Sequence, residues 1–499
     1  MKKNQLHLFR PLFMLAVLLA SCETKNNDVK PNVLLITVDD MNYNSVGAFG
    51  AVVSGTTPNI DKLASQGMRF ENAHVTIAVC QPSRGVLATG MYPHRSGIEG
   101  FFHTDKDIPT IVEILKQHQY YTGVLSKTKH SSPKENTPWD VVRTQAEHMG
   151  MGRDANRYYE ETKAFLKQAG EAKKPFYLMA NANDPHRPFS NSDQEKRAYK
   201  GKDIVPSSKI YKSDEIEVPA FLPDIPDVRL EMSEYYTSVR RADDVVGAVL
   251  KALEESGEAK NTLLMFLSDH GMALPFAKTN CYLNSTKTPW IVRWPDVVTQ
   301  GSINKKHFIS GIDFMPTVLE VLGIEIPKTV DGRSFVPLLK GEDQDDREFV
   351  FTQFHETSAK NRFPMRAVQS SKYAYIFNAW SDGERVFKNE SQSGRTFKAM
   401  QEAAKTDSAI AQRVDLFSHR VLEEFYDLEK DPDALINLIE DEDYQAEIEI
   451  YRNRLKKWMQ ETEDVALEAL EGRESKEKLV VFMEKEQALA DLRKKKNKK

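Results

Sequence analysis

In the run Cys80-Gln81-Pro82-Ser83-Arg84 a thiol, a helix-opening proline and a guanidinium fall within five positions, in a chain with two other cysteines, Cys22 and Cys281. A single cysteine is most often a small buried hydrophobe, so its neighbours decide its role. Three other short runs carry titratable groups: Asp39-Asp40, Asp269-His270-Gly271 and Asn183-Asp184-Pro185-His186. Two or three carboxylates converging on one point repel unless a cation neutralises them, and hard carboxylate oxygens suit Ca²⁺ or Mg²⁺. Asp39, Asp40 and Asp269 with His270 would make such a cage. One aspartate after a strand is ordinarily a turn or capping residue, which would suffice for Asp39 alone but not for the set of four.

The elements around these runs alternate strand and helix. Residues 33–38 (VLLITV) form a continuous apolar, β-branched run, the pattern of a strand buried on both faces. It ends in Asp39-Asp40. A second such strand, 262–268, ends in Asp269-His270, and a third, 175–180, leads to Asp184-Pro185-His186. Helical stretches at 108–117 and 233–256 lie between them, which predicts an α/β fold with a largely parallel sheet. Ligands of open α/β sheets bind at the carboxyl ends of the strands, and all three strands place acids or a histidine there. Side chains alternate along a strand, so a turn must bring Asp39 and Asp40 together. Past about residue 345 the pattern becomes short strand-like pieces, 348–353 and 374–377, then a charged helix over 443–462. The expected organisation is a body at 31–345, a smaller α+β subdomain at 346–462 and a charged helical or disordered tail at 463–499, with no internal repeat.

The amino terminus, MKKNQLHLFR followed by PLFMLAVLLA, has the basic and short apolar regions of an export signal. Leu19-Ala20-Ser21-Cys22 is similar to a bacterial lipobox, in which the signal is cut before an acylated cysteine. The expectation is a lipoprotein signal peptide at 1–21, a lipidated Cys22, a tether at 22–30, and a lipid-anchored place in the bacterial cell envelope, periplasmic or at the surface. Cys80 and Cys281 then remain, enough for one disulfide unless Cys80 is reserved for chemistry. The net charge of −5 argues against nucleic acid as a partner, and the basic run at 493–499 reads as a solvated end.

Taken together, Cys80-x-Pro82-Ser83-Arg84, the upstream Asp-Asp and the downstream Asp-His-Gly resemble the type I sulfatases, nearest to their heparan N-sulfatase (sulfamidase) branch. The branch likeness rests on Phe363-Pro364-Met365-Arg366-Ala367-Val368-Gln369, on Asn183 to Arg187, and on Lys278-Thr279-Asn280 with Tyr282. The resemblance implies an alkaline-phosphatase-like sandwich. It implies conversion of Cys80 by a sulfatase-maturing enzyme to formylglycine (3-oxoalanine), an aldehyde whose hydrate is the nucleophile, at a helix N-terminus that favours sulfate. It implies one Ca²⁺ held by Asp39, Asp40, residue 80, Asp269 and His270, where Asp-Asn is commoner than Asp-His. Arg84 would stabilise the hydrated aldehyde, and Lys278 would hold the sulfate. Ser126-Lys127-Thr128-Lys129-His130 stands where Gly-Lys and a histidine are usual, giving Lys127, with Lys129 as the alternative, and His130 as base. His186 would be the donor to the leaving group. His103, His355, Glu356 and Arg366 are candidate sugar-binding residues. Gln81 and Ala88 depart from the usual signature. The substrates implied are sulfated oligosaccharides from algal polysaccharide such as ulvan, or from glycosaminoglycans including N-sulfoglucosamine. Two other readings stand beside this one: a phosphatase or phosphodiesterase of the same superfamily, and a non-catalytic carbohydrate-binding lipoprotein.

Overall fold

Every residue of Asn32–Asp39 (β1) is buried. Leu34, Ile36 and Val38 enter one apolar core while Val33 and Leu35 enter another, as a strand covered on both faces requires. The computed structural model describes residues 30–496. The expected export signal, Cys22 and the tether up to residue 29 lie outside the described residues.

The other strands are Met68–Phe70 (β2), Ala73–His74 (β3), Tyr121–Leu125 (β4), Val141–Arg143 (β5), Phe176–Pro185 (β6), Thr262–Ser268 (β7), Trp290–Arg293 (β8), Ser302–Asn304 (β9), Ile309–Ser310 (β10), Val350–Glu356 (β11), Arg362–Gln369 (β12), Tyr373–Asn378 (β13) and Glu423–Asp427 (β14). Among the described residues, eight of them form one sheet in the order β5-β4-β6-β1-β7-β8-β2-β9. Strands β5 to β7 in that order run parallel, and β8 is antiparallel to both β7 and β2. Helices Pro58–Gln66, Ala155–Glu171 and Pro226–Ser256 fill the core on the Leu34 face, and Ile111–Gln117 with Phe314–Val321 fill the other. No helix among the described residues is long and apolar enough to cross a membrane.

Three boundaries differ from the sequence reading, each for a local reason. The helix expected from 108 starts at Ile111 because Thr110 caps it: Thr110 Oγ1 accepts from the Glu113 N–H and the Glu113 carboxylate accepts from the Thr110 N–H. The helix expected from 233 starts at Pro226, whose fixed φ and missing N–H suit a first turn. Strand β6 runs on to Pro185, so Asp184 sits inside it, paired with Arg241 (2.6 Å) and with Arg153, which also donates to the His186 carbonyl (3.1 Å).

A four-stranded antiparallel sheet, β11-β12-β13-β14, follows. The helix Gln445–Glu461 covers it, with Phe351 stacked on Trp458 at 5.1 Å. Sequence reading found β11 and β13 but not β12, whose Pro364 argues against an interior strand; the β11–β12 register shifts between Phe354 and Glu356, a bulge that accommodates it. The second sheet is pinned to the first body by the Gln369 side chain donating to the Cys281 carbonyl (2.9 Å). The last helix, Lys476–Lys496, lies against β12, where Arg362 meets Glu486 at 2.9 Å.

Candidate active site

The acids meet where β1 and β7 end side by side. Register along β1 and β6 slips between Thr37 and Asp39, and Asp40 adopts a left-handed φ of 68°, a conformation that aspartate tolerates better than most residues. This is the turn the sequence required. The Asp40 N–H donates to Asp269 Oδ1 at 3.1 Å. His270 Nδ1 donates to the Gly271 carbonyl (2.9 Å), which leaves the Nε2 lone pair 3.2 Å from Asp40 Oδ1 and 3.4 Å from Cys80 Sγ. Cys80 opens the helix Cys80–Thr89, which ends at Gly90 with φ 63°. Ser83 Oγ donates to the Asp269 carbonyl (2.7 Å), fixing the first turn of that helix against the end of β7. Cys80 and Cys281 are both free and buried.

Three cations surround this point. Arg84 donates to Thr37 Oγ1 and Asn181 Oδ1 (both 2.6 Å) and to Asp269 Oδ2 (3.0 Å), so its guanidinium is fixed without any substrate. Lys127 ion-pairs with Asp39, whereas Lys129 is exposed; the structure places Lys127 in the cluster. Ser126 and Lys127 have φ of 59° and 46°, which explains why glycine is usual at position 126. Ser126 Oγ donates to Asn183 Oδ1 at 2.7 Å and secures the turn. Lys278 lies between Asp40 Oδ2 and Glu390 Oε2, 2.9 Å from each. Sequence reading missed Glu390, as it missed Thr37 and Asn181. Neighbours across β1 and β6, those two are polar residues inside apolar strands, and that interruption was the signal available.

The electrostatics ask for a divalent cation. Asp39, Asp40, Cys80 and His270 offer ligand atoms all within 4.8 Å of one another, and every one of them is buried. Neither Asp39 oxygen has a hydrogen-bond donor; both are met by ion pairs with Arg84 (3.6 Å) and Lys127. Burial would push the Asp39 carboxyl up, yet Lys127 and its other neighbours hold it well below the usual carboxylate range. Burial and the Asp39 charge push Asp269 well above that range. Carboxylate oxygens gathered this closely with one imidazole nitrogen fit a hard divalent ion. Burial, then the nearby carboxylates, push the Cys80 thiol well above its ordinary value.

Of the histidines, His186 donates from Nδ1 to the Arg187 carbonyl (2.6 Å) and turns Nε2 toward Glu390 Oε1 at 3.6 Å. His130 packs edge-on to Phe101 with ring centroids 5.4 Å apart, and its Nδ1 has no hydrogen-bond partner. Burial, then the Lys127 charge, lowers its pKa to about 3, so the ring is neutral. The expected sugar-binding residues fall elsewhere. Arg366 is buried, bonded to Asp464 (2.8 Å) and to the Phe354 and Met365 carbonyls. His355 faces Glu99 (3.3 Å), and Glu356 faces Arg362 (3.8 Å) and Arg493. The structure thus makes Arg366, His355 and Glu356 struts between β11, β12 and the C-terminal helices, a correction to the sugar-binding reading: all three side chains are buried and face charged partners within the protein. His103 is half-buried and is not in the acid cluster.

The profile of the family described as Sulfatase matches residues 31–324. The chain belongs to the sulfatase family. It is a sulfuric ester hydrolase, and a second profile, described as N-sulphoglucosamine sulphohydrolase, C-terminal, matches residues 269–392 of this sulfatase. Human N-sulphoglucosamine sulphohydrolase is 28% identical over 461 residues, covering 87% of this chain and 90% of the relative. An ulvan-active sulfatase of Formosa agariphila is 28% identical over 448 residues, covering 89% and 82%. Among solved structures, a 2-O GAG sulfatase superposes with a TM-score of 0.66 at 21% identity, covering 87% of this chain and 93% of that one. A phosphonate monoester hydrolase of Agrobacterium radiobacter superposes with a TM-score of 0.63 at 18% identity, covering 87% and 96%. The architecture, a large mostly parallel sheet between helices with a smaller C-terminal subdomain, is therefore the alkaline-phosphatase-like one, and it hosts more than one chemistry; site residues separate them.

Proposed function

We propose that this sulfatase removes sulfate from sulfated saccharides of the ulvan or glycosaminoglycan kind, using a formylglycine made from Cys80 by a sulfatase-maturing enzyme, and one Ca²⁺. The observation that carries the reading is the buried cluster of three aspartates, three side-chain cations and His270 around Cys80 at the first position of its helix. The names of the curated relatives supply the saccharide class.

Asp39, Asp40, Asp269 and His270 would hold the cation, with residue 80 beside it. A hydrated aldehyde at position 80 supplies two hydroxyls, one to attack sulfur and one to expel it later, and the cation supplies polarisation of the sulfate and the attacking hydroxyl. Arg84, preset by Thr37, Asn181 and Asp269, keeps a positive charge near residue 80. Lys127 and Lys278 take up charge on the sulfate oxygens as preplaced cations. His186 gives a proton from Nε2 to the departing oxygen or nitrogen, and neutral His130 accepts the proton that the second hydroxyl of residue 80 loses as the aldehyde re-forms and sulfate leaves. Four carboxylates, Asp39, Asp40, Asp269 and Glu390, face three cations, Arg84, Lys127 and Lys278.

Oligosaccharides from heparin and from ulvan, incubated with the mature enzyme and followed by ion chromatography, test the reading. Sulfate release from one of the two sets supports it. Faster release of phosphate from phosphomonoesters or diesters than of sulfate from any saccharide would favour the phosphatase reading instead. We also propose that Cys22 is lipidated and anchors the enzyme in the cell envelope, a reading that rests on Leu19 to Cys22.

A further inference from the structure

Glu390 enters the site from the second half of the chain, at the start of the short turn Glu390–Ser393. It joins two groups that work on opposite sides of the scissile bond: Oε2 lies 2.9 Å from Lys278 Nζ, the cation facing the sulfate, and Oε1 lies 3.6 Å from His186 Nε2, the proton donor to the leaving group. The chain on either side of Glu390 is tied to the immediate neighbours of those partners. Asn389 Nδ2 donates to Oγ1 of Thr279, the residue after Lys278, at 2.6 Å. Arg187, the residue after His186, pairs with Glu231 at 2.6 Å, and the Glu231 carboxylate also accepts the Arg395 and Thr396 N–H groups (2.8 and 2.7 Å) that open the helix Arg395–Ala403. Gly394 packs so closely on Arg187 that a Cβ there would come within 2.4 Å of Nη2. Although Glu390 is tied in this way, its side chain remains 32% exposed, so it is available to a ligand.

We propose that Glu390 is the residue that selects the group flanking the scissile sulfate: in the bound state its carboxylate accepts a hydrogen bond from an O–H or N–H that the sugar carries next to that sulfate. This rests on the saccharide reading above and narrows it. A fixed carboxylate there favours a neighbouring hydroxyl or amine hydrogen and repels a second sulfate or a carboxylate. The preferred substrates are therefore saccharides whose scissile sulfate stands next to an unsubstituted hydroxyl or amide, and vicinally disulfated sugars are poor ones. His186 and Lys278, also held by Glu390, touch every substrate alike, so the discrimination ratio isolates Glu390 from them.

The test takes the monosulfated sugar that the wild-type holoenzyme cleaves fastest and the same sugar with a second sulfate on the adjacent carbon. It measures kcat/KM for both with wild type, Glu390→Gln and Glu390→Ala, alongside aldehyde content at residue 80 and Tm. The wild type should prefer the monosulfated sugar, and both variants should narrow that preference by about tenfold, which corresponds to roughly 1.4 kcal/mol, at unchanged aldehyde content. Glu390→Gln keeps the size of the side chain and so guards against a variant that merely misfolds. Equal losses on both sugars, leaving the ratio untouched, would overturn the proposal and leave Glu390 as a prop for Lys278 and His186. A wild type that cleaves 4-nitrophenyl sulfate but neither sugar fails differently: it removes the saccharide reading, and this proposal with it.

Discussion

At the scale of single residues, the site depends on charges held out of water, so exchanging one for a neutral group should act on chemistry well before it acts on the fold. Asp269 binds the Asp40 N–H and the Arg84 guanidinium and stands in the proposed cation cage. Asp269→Asn should therefore lower kcat by a factor on the order of 10² to 10³ and abolish stoichiometric divalent-ion binding, while the far-UV circular dichroism stays as in the wild type. Elemental analysis beside the assay checks this, and two zinc ions per wild-type chain would speak for the phosphatase reading. Glu231 gives a pH signature away from the proposed cation cage. Burial opposes its ionisation, but Arg187 and its other partners lower its pKa from the ordinary 4.5 to about 2. A depressed carboxyl contributes stability above its unfolded value and loses it as the pH falls, so the contribution is full above about 4.5 and fades toward 2. Glu231→Gln should cost about 3 kcal/mol at neutral pH, and the gap to wild type should close as denaturation is measured at falling pH through that window.

At the scale of elements, the backbone turn at the end of β4 and the last helix make separable predictions. Ser126 pays for its left-handed φ of 59° with a side-chain hydrogen bond to Asn183. Glycine at 126 should change stability by less than about 1 kcal/mol, because relief of strain offsets the lost bond. A β-branched valine should cost more than about 2 kcal/mol and displace Lys127; Tm and kcat of the two variants side by side decide it. The helix Lys476–Lys496 supplies Glu486 to Arg362, which is 1% exposed. Ending the chain after residue 475 leaves that guanidinium with Glu99 and Glu356 alone. The truncation should cost about 3 to 5 kcal/mol in chemical denaturation, whereas an unchanged midpoint would make the helix a detachable appendage. The sequence revealed these elements unevenly. Strands β1 and β7 could be read because burial on both faces leaves long apolar, β-branched runs, and Thr262–Ser268 was located to the residue. Strand β12 could not, because Pro364 contradicts a strand until the bulge that contains it is seen.

At the scale of the whole molecule, the residues of the site come from points far apart in the chain, and this set what could be read in advance. Cys80 to Arg84, Asp39-Asp40 and Asp269-His270 announced themselves because each is a compact local run at a strand end or helix start. Glu390 could not be seen, because an acid in an irregular, charged stretch is indistinguishable from a solvated one until the fold carries it to Lys278. Arg366, His355 and Glu356 looked like sugar ligands for the converse reason: polar residues near a motif read as exposed, and only packing shows them paired with Asp464, Glu99 and Arg362. The proposed anchor concerns the molecule in its cell. Cys22→Ala should move the enzyme from the detergent phase to the soluble fraction and abolish palmitate incorporation, since a buried acyl chain contributes about 0.8 kcal/mol per CH₂; a wild type already wholly soluble and unlabelled would dismiss the anchor.

The central claim is that the nucleophile is an aldehyde made from Cys80, and it is tested most directly by preparing the enzyme with graded amounts of a sulfatase-maturing enzyme. In each preparation, the fraction of residue-80 peptide carrying the aldehyde is measured by mass spectrometry and set against sulfate released per chain. Turnover should rise in proportion to that fraction and extrapolate to zero for the thiol form, with Cys80→Ala inactive and folded. Full turnover from chains whose Cys80 is an unmodified thiol would contradict the account.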